Sequence, residues 1–191
     1  MDADPPHRFF LFVHAMRHHL LSRRQCLVGL LACGAARAAD AGAPPPLVPP
    51  QGKVVLSISG QVTRTNAPNR ADFDLDMLAA LPQHQLVTHT PWHQGAQTFT
   101  GPLLRDVLVQ AGTSGKLLVA VALNDYRCEI PSEDTTQFDV VLARLQNGEP
   151  MRVRDKGPLF IVYPFDSDAK LRSDRYYARS AWQLRSLIVQ P

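Results

Sequence analysis

Cysteine is scarce, with three in 191 residues. Two of them, Cys26 and Cys33, fall within the first 38 residues, so the chain beyond holds Cys128 alone. One thiol cannot close an intramolecular disulfide or supply a multi-cysteine metal site, and the folded part has to rely on its apolar core. An excess of charge is also missing. Basic residues exceed acidic ones by 20 to 17, but residues 1–38 hold 5 of the basic and 2 of the acidic residues, which leaves 15 of each from Ala39 onward. A chain so balanced carries no electrostatic footprint for nucleic acid. No apolar run reaches the ~20 residues that a membrane-spanning helix needs, and no internal repeat is visible. What remains is a length that suits one domain with a sizeable core.

The first 38 residues read as an export signal. Arg23-Arg24 precede an apolar run, which gives way to small residues at Ala36-Arg37-Ala38, the order of charge, apolar stretch and cleavage site in a secretory leader. Ser22-Arg23-Arg24-Gln25-Cys26-Leu27 approximates the twin-arginine pattern of proteins exported already folded, with Cys26 where Phe is commonest. Simple cleavage near Ala38 is favoured over lipoprotein processing at Cys33, and the expected location is the periplasm. Contact with a membrane is expected only if Cys33 carries lipid.

Residues 39–52 are rich in Ala, Gly and Pro and read as an extended tether. The expected domain is 53–191. Strands are predicted over Lys53–Ser59, Gln85–Thr90, Lys116–Leu123, Asp139–Leu145, Leu159–Tyr163 and Trp182–Val189. Asp74 is positioned to cap a helix over Leu75–Leu81, and a helix over Gly101–Ala111 is expected to start at Pro102 and stop at Gly112. Asn147-Gly148 predicts a tight hairpin into Met151–Val153. Many strands, short helices and no βαβ alternation point to an α+β fold with a mixed sheet or open barrel.

A run of motifs then becomes specific. Trp92-x-x-Gly95 is followed by Thr98-Phe99-Thr100-Gly101-Pro102-Leu103-Leu104-Arg105-Asp106-Val107-Leu108. Next come Ala122-Leu123-Asn124-Asp125-Tyr126, Ile130-Pro131, Asn147-Gly148-Glu149-Pro150, Lys156-Gly157-Pro158-Leu159 and Tyr163-Pro164. Taken together, in this order and spacing, they resemble the molybdopterin-binding oxidoreductase domain of the sulfite oxidase family, over roughly residues 53–189. The resemblance implies that family's fold. It also implies a molybdenum held by the pterin dithiolene and one cysteine thiolate, a soft ligand that imidazole replaces poorly.

At the position the resemblance assigns to that cysteine stands His89, and no cysteine lies nearby. Relatives also carry basic residues for the pterin phosphate where this chain has Phe160 and, near the last strand, Trp182. Arg152, Arg154, Lys156, Arg179 and Arg185 lie close in sequence to those places and either compensate or form a solvated basic face beside several aspartates. Cys128 shares a strand face with Tyr126 and Ile130 and reads as a buried apolar residue rather than a ligand. His84, His89 and His93 lack the paired tight spacing of a metal site. The expected pocket is formed by His89, Trp92, Asn124, Tyr126, Arg154 and Lys156.

The functional expectation is therefore an exported, non-catalytic binding or regulatory module without molybdenum or another cofactor, whose partner is a small-molecule ligand or a periplasmic protein and not nucleic acid. The alternative is a molybdenum-cofactor oxidoreductase acting on a small oxo substrate such as sulfite or a sulfoxide.

Overall fold

Side-chain alternation sets the first strand: Leu56 and Ile58 are fully buried, while Ser57 and Ser59 between them are half exposed. The computed structural model describes residues 47–191, so the expected export signal and residues 39–46 lie outside the described residues. Residues 47–52 lie against the domain. Leu47 is buried, and the N–H groups of Gln51 and Gly52 both donate to the Asp74 carboxylate, at 2.8 and 2.7 Å.

After β1 (Leu56–Gly60) come β2 (Arg70–Phe73), α1 (Leu75–Ala79), the hairpin strands β3 (Gln83–Thr88) and β4 (Gln97–Pro102), and α2 (Leu104–Ala111). The chain continues through β5 (Leu117–Ala122), β6 (Arg127–Pro131), α3 (Ser132–Gln137), β7 (Val141–Ala143), β8 (Leu145–Gln146) and β9 (Glu149–Pro150). It closes with β10 (Phe160–Val162), α4 (Asp174–Arg179) and β11 (Leu184–Gln190). Three open sheets result, ordered β2-β1-β11-β5-β6, β3-β4-β8-β9 and β10-β7. Only β1 and β11 run parallel, so the large sheet is mixed. The fold is α+β with short helices, and its sheets stay open instead of closing into a barrel.

Local chemistry explains most boundaries. Asp74 caps α1, its carboxylate accepting from the Met77 N–H at 2.8 Å. Gly112 ends α2 in the left-handed region at φ 62°, where its N–H returns to the carbonyls of Leu108 and Val109. The start of α2 differs from expectation. Gly101-Pro102 belongs to β4, with Pro102 opposite Gln83, and the helix begins only after Leu103. The reason is close packing: a Cβ on Gly101 would run into the Leu142 carbonyl, and the Leu104 N–H bonds to the Val140 oxygen at 2.8 Å. The 147–148 turn joins β8 to β9, so the Asp139–Leu145 strand is split and Val153–Asp155 forms a 3₁₀ turn.

A buried carboxylate ties three of these elements together. Asp134 of α3 accepts from the Tyr163 hydroxyl at 2.7 Å and from the Arg179 guanidinium at 2.8 Å. The side chains of Arg179 and Asp134 are 18% and 8% exposed, so water screens the pair little. Burial first, and then the bond to Asp134, push the Tyr163 phenol far above its ordinary range. Removing the shared acceptor strands both donors. Asp134→Ala is expected to lower the unfolding free energy by about 3–5 kcal/mol, and Tyr163→Phe, which spares the ion pair, by about 1–2 kcal/mol. Denaturant titration checks both; equal losses would shift the stabilisation from the ion pair to the phenol.

Candidate functional site

Four loops meet at one end of the large sheet. The β3–β4 connection carries His89, Trp92 and His93, the β5–β6 turn carries Asn124 and Tyr126, the 3₁₀ turn leads into Lys156, and the α4–β11 segment carries Ser180 and Trp182. Each is shaped locally. Asp125 takes φ 62° so that the Ala122 N–H can reach the Tyr126 oxygen at 2.9 Å, and the Asn124 side-chain oxygen accepts from the Tyr126 N–H at 3.2 Å. Lys156 ends its turn at φ 72°, and its carbonyl accepts from the Gln183 N–H.

The loops are held by aromatic rings. Trp92 packs edge-on against Phe160, Phe165, Tyr177 and Trp182, the closest centroid separation being 5.2 Å to Trp182. Beside this cluster is a cavity of about 300 Å³ lined by Trp92, Asn124, Tyr126, Tyr177, Ala178, Ser180 and Trp182. The Lys156 ammonium lies over the Trp182 ring, 5.5 Å from its centroid.

Of the six residues singled out from the sequence, the structure brings Trp92, Asn124 and Tyr126 into this cavity and sets Lys156 at its Trp182 wall. His89 and Arg154 are not among the lining residues. His89 follows β3 directly, and both its N–H and its Nδ1 bond to Asp166 Oδ2, at 2.8 and 2.9 Å. Those two contacts, the backbone one first, hold the Asp166 carboxyl below its usual range. Arg154 is 71% exposed and lies 3.7 Å from Asp155. Tyr177, Ala178 and Ser180 enter the site through α4, an element the sequence did not announce; the Tyr176-Tyr177 pair beside Trp182 was its one signal.

His93 bonds Thr90 through Nδ1 at 2.7 Å, and burial, with Lys156 nearby, favours its neutral form. His84 lines a separate cavity. Among the described residues no three His, Cys, Asp or Glu side chains are grouped to hold a metal.

A family model, the oxidoreductase molybdopterin binding domain, matches residues 47–167. The chain belongs to that family. The molybdopterin-binding fold is shared with the crystal structure of the sulfane dehydrogenase SoxCD from Paracoccus pantotrophus, at a TM-score of 0.54 and 21% identity. The likeness covers 71% of this chain and 37% of that one, so this chain spans little more than a third of that protein's length. No curated protein matches the sequence.

Membership implies a molybdenum cofactor, and the donor chemistry tests the fit. At the place that the resemblance assigns to a ligating cysteine the chain has His89, whose imidazole bonds to Asp166. Cys128, the one cysteine among the described residues, does not line the cavity; its thiol faces the Arg179 carbonyl at 3.8 Å, and burial pushes it up to about 11. Of the five cations, Arg179 is held by the buried Asp134, Arg152 and Arg154 meet Asp155 and Arg185 meets Asp125 in exposed pairs, and Lys156 has no carboxylate. Phe160 and Trp182, at the positions that the resemblance assigns to phosphate-binding cations, pack on Trp92 and on each other. The residues present do not fit a thiolate-bound molybdenum.

The state of Cys128 is directly measurable. At pH 8, alkylation of Cys128 by iodoacetamide, followed on its own peptide by mass spectrometry, is expected to run about two orders of magnitude slower than that of an ordinary exposed thiol. The rate should climb only as pH approaches 11. A fast reaction at pH 8 would mean that burial does not raise the Cys128 thiol.

Proposed function

We propose that this protein is an exported periplasmic module that uses the molybdopterin-binding fold for binding or regulation instead of molybdenum catalysis. Its small-molecule ligand or partner protein sits in the cleft of Trp92, Asn124, Tyr126 and Trp182, next to Lys156. The observation that carries this reading is the donor set. An imidazole tied to Asp166 and an indole packed on Trp92 occupy the positions that the resemblance assigns to the metal's thiolate and to a phosphate-binding cation. A buried phosphate lacking paired cations would be costly to desolvate.

Family membership and the twin-arginine-like Ser22–Leu27 segment favour a second reading. In it the chain is a molybdenum-dependent oxidoreductase acting on a small oxo substrate such as sulfite or a sulfoxide, loaded before export. In either reading the protein engages no nucleic acid, and it meets a membrane only through lipid on Cys33.

Metal and pterin content separate the two. Protein recovered after export from a host that makes the molybdenum cofactor is expected to contain neither molybdenum nor pterin, by elemental analysis and by fluorescence of the oxidised pterin. One molybdenum per chain would overturn the binding-module reading.

A further inference from the structure

Sheet edges in this fold are handled unequally. An outer strand presents a row of unpaired backbone groups to any strand that approaches, and three of the four outer strands of the two larger sheets are capped, covered or cut short. On β2 the Asn66 side chain takes both backbone groups of Asp72, accepting from its N–H at 2.7 Å and donating to its carbonyl at 2.8 Å. β6 lies against α4, where the Cys128 thiol faces the Arg179 carbonyl at 3.8 Å. β9 has two residues and ends in Pro150. β3 has no such device: Gln83-His84-Gln85-Leu86-Val87-Thr88 contains no Pro, no Gly and no Lys, and it pairs with β4 without a bulge.

The bonding of β4 shows which groups of β3 stay open. The Thr98 and Thr100 carbonyls accept from the Asn147 and Arg144 N–H groups on the β8 side, so alternation turns Gln97, Phe99 and Gly101 toward β3. Their opposites, Thr88, Leu86 and His84, exchange bonds with them. Gln85 and Val87 therefore aim N–H and C=O away from β4, and these groups have no partner among the described residues. His89, next in the same alternation, spends its N–H on Asp166. The space beside the edge is open as well, with a cavity of about 320 Å³ along His84, Gln85 and Leu86. Val87 leaves an apolar side chain 62% exposed in the middle of this edge.

From this open edge we propose that two copies of the protein join β3 to β3 across a twofold axis, making one continuous sheet from two. With the axis at Leu86, Gln85 and Val87 of one copy exchange both backbone bonds with Val87 and Gln85 of the other, which answers the open groups of both. The strand suits its own copy. It holds no Asp, Glu, Lys or Arg, so no like charges come face to face. Antiparallel pairing also brings the Gln83 end of one copy to the His89 end of the other. At the first end Arg144 bonds the Gln83 side chain at 2.8 Å and has no carboxylate among the described residues; at the second stands Asp166, 38% exposed. The two ends are thus opposite in charge.

Sedimentation velocity on the exported protein, from about 1 to about 500 µM, tests the proposal. Edge pairing belongs among the smaller interfaces, and a dimer that dissociates near about 50 µM is expected. Val87→Pro deletes an N–H that β4 does not use and should weaken the dimer about tenfold or more. The register gives a sharper arm. Gln85→Lys together with Val87→Lys sets like charges opposite each other across the axis and should weaken the dimer about tenfold. Gln85→Lys together with Val87→Glu sets opposite charges there and should dimerise at least as well as the native chain. Both side chains are exposed, so unchanged thermal melting of the double variants separates lost pairing from lost fold. A chain that stays monomeric at the highest concentration would overturn the proposal and leave the edge to residues 39–46 or to an extended segment of another protein. So would a dimer that the two double variants weaken equally, or one that none of the three changes touches. None of these outcomes depends on whether the cleft holds molybdenum.

Discussion

Trp92 meets four rings edge-on, at centroid separations from 5.2 to 6.3 Å, and the site depends on those contacts. The β3–β4 connection that carries it has little backbone bonding of its own, a 3.5 Å bond from the His93 N–H to the Thr90 carbonyl being its turn contact. Edge-to-face pairs contribute about 0.5–1.5 kcal/mol each beyond the area they bury. Four of them gather β10, the segment after it, α4 and the approach to β11 around one indole. The same contacts that anchor the loop make the cavity wall. A ring that serves both as packing and as cavity wall couples the stability of this end of the domain to the shape of the cavity.

Behind that wall lies a second constraint. Arg179 at the end of α4 is fixed by Asp134, which also holds Tyr163 next to β10. Tyr126 and Cys128, from the strand side, reach the carbonyls of Ala178 and Arg179 at the same helix end. The helix that contributes Tyr177 is thus pinned from both sides despite its six residues. The arrangement consumes a cation and a thiol that a cofactor site would use. Arg152, Arg154 and Arg185 meet carboxylates only in exposed pairs, and Lys156 lies over the Trp182 ring.

Much of the frame was legible in the chain. Asp74 as a helix cap, Gly112 as a helix stop, the Asn147-Gly148 hairpin and the strand at Leu117–Ala122 follow from turn chemistry and periodicity, which act within a few residues. Missed were β2, β4, α3 and α4. Ser132–Gln137 and Asp174–Arg179 are short and polar, with no apolar stripe to mark them, and are held by Asp134 and Arg179 across 45 residues. Gly101-Pro102 carried a local signal for a helix start, and strand pairing overrode it because the Leu142 backbone presses on Gly101. Trp92, Asn124 and Tyr126, which line the cavity, were singled out from the motifs that carry the family resemblance, whereas Tyr177, Ala178 and Ser180 depended on α4 and the residue that ends it.

The sequence by itself determined the family, the scarcity of cysteine, the histidine at position 89 and the balance of charge from Ala39 onward, because these are matters of residue identity and order. Only the tertiary structure decided which charges are available. Arg154 and Lys156 are two residues apart, yet one lies in solvent beside Asp155 and the other over the Trp182 ring. Pairing of that kind is set by side chains brought together from distant segments, and local sequence carries no record of it.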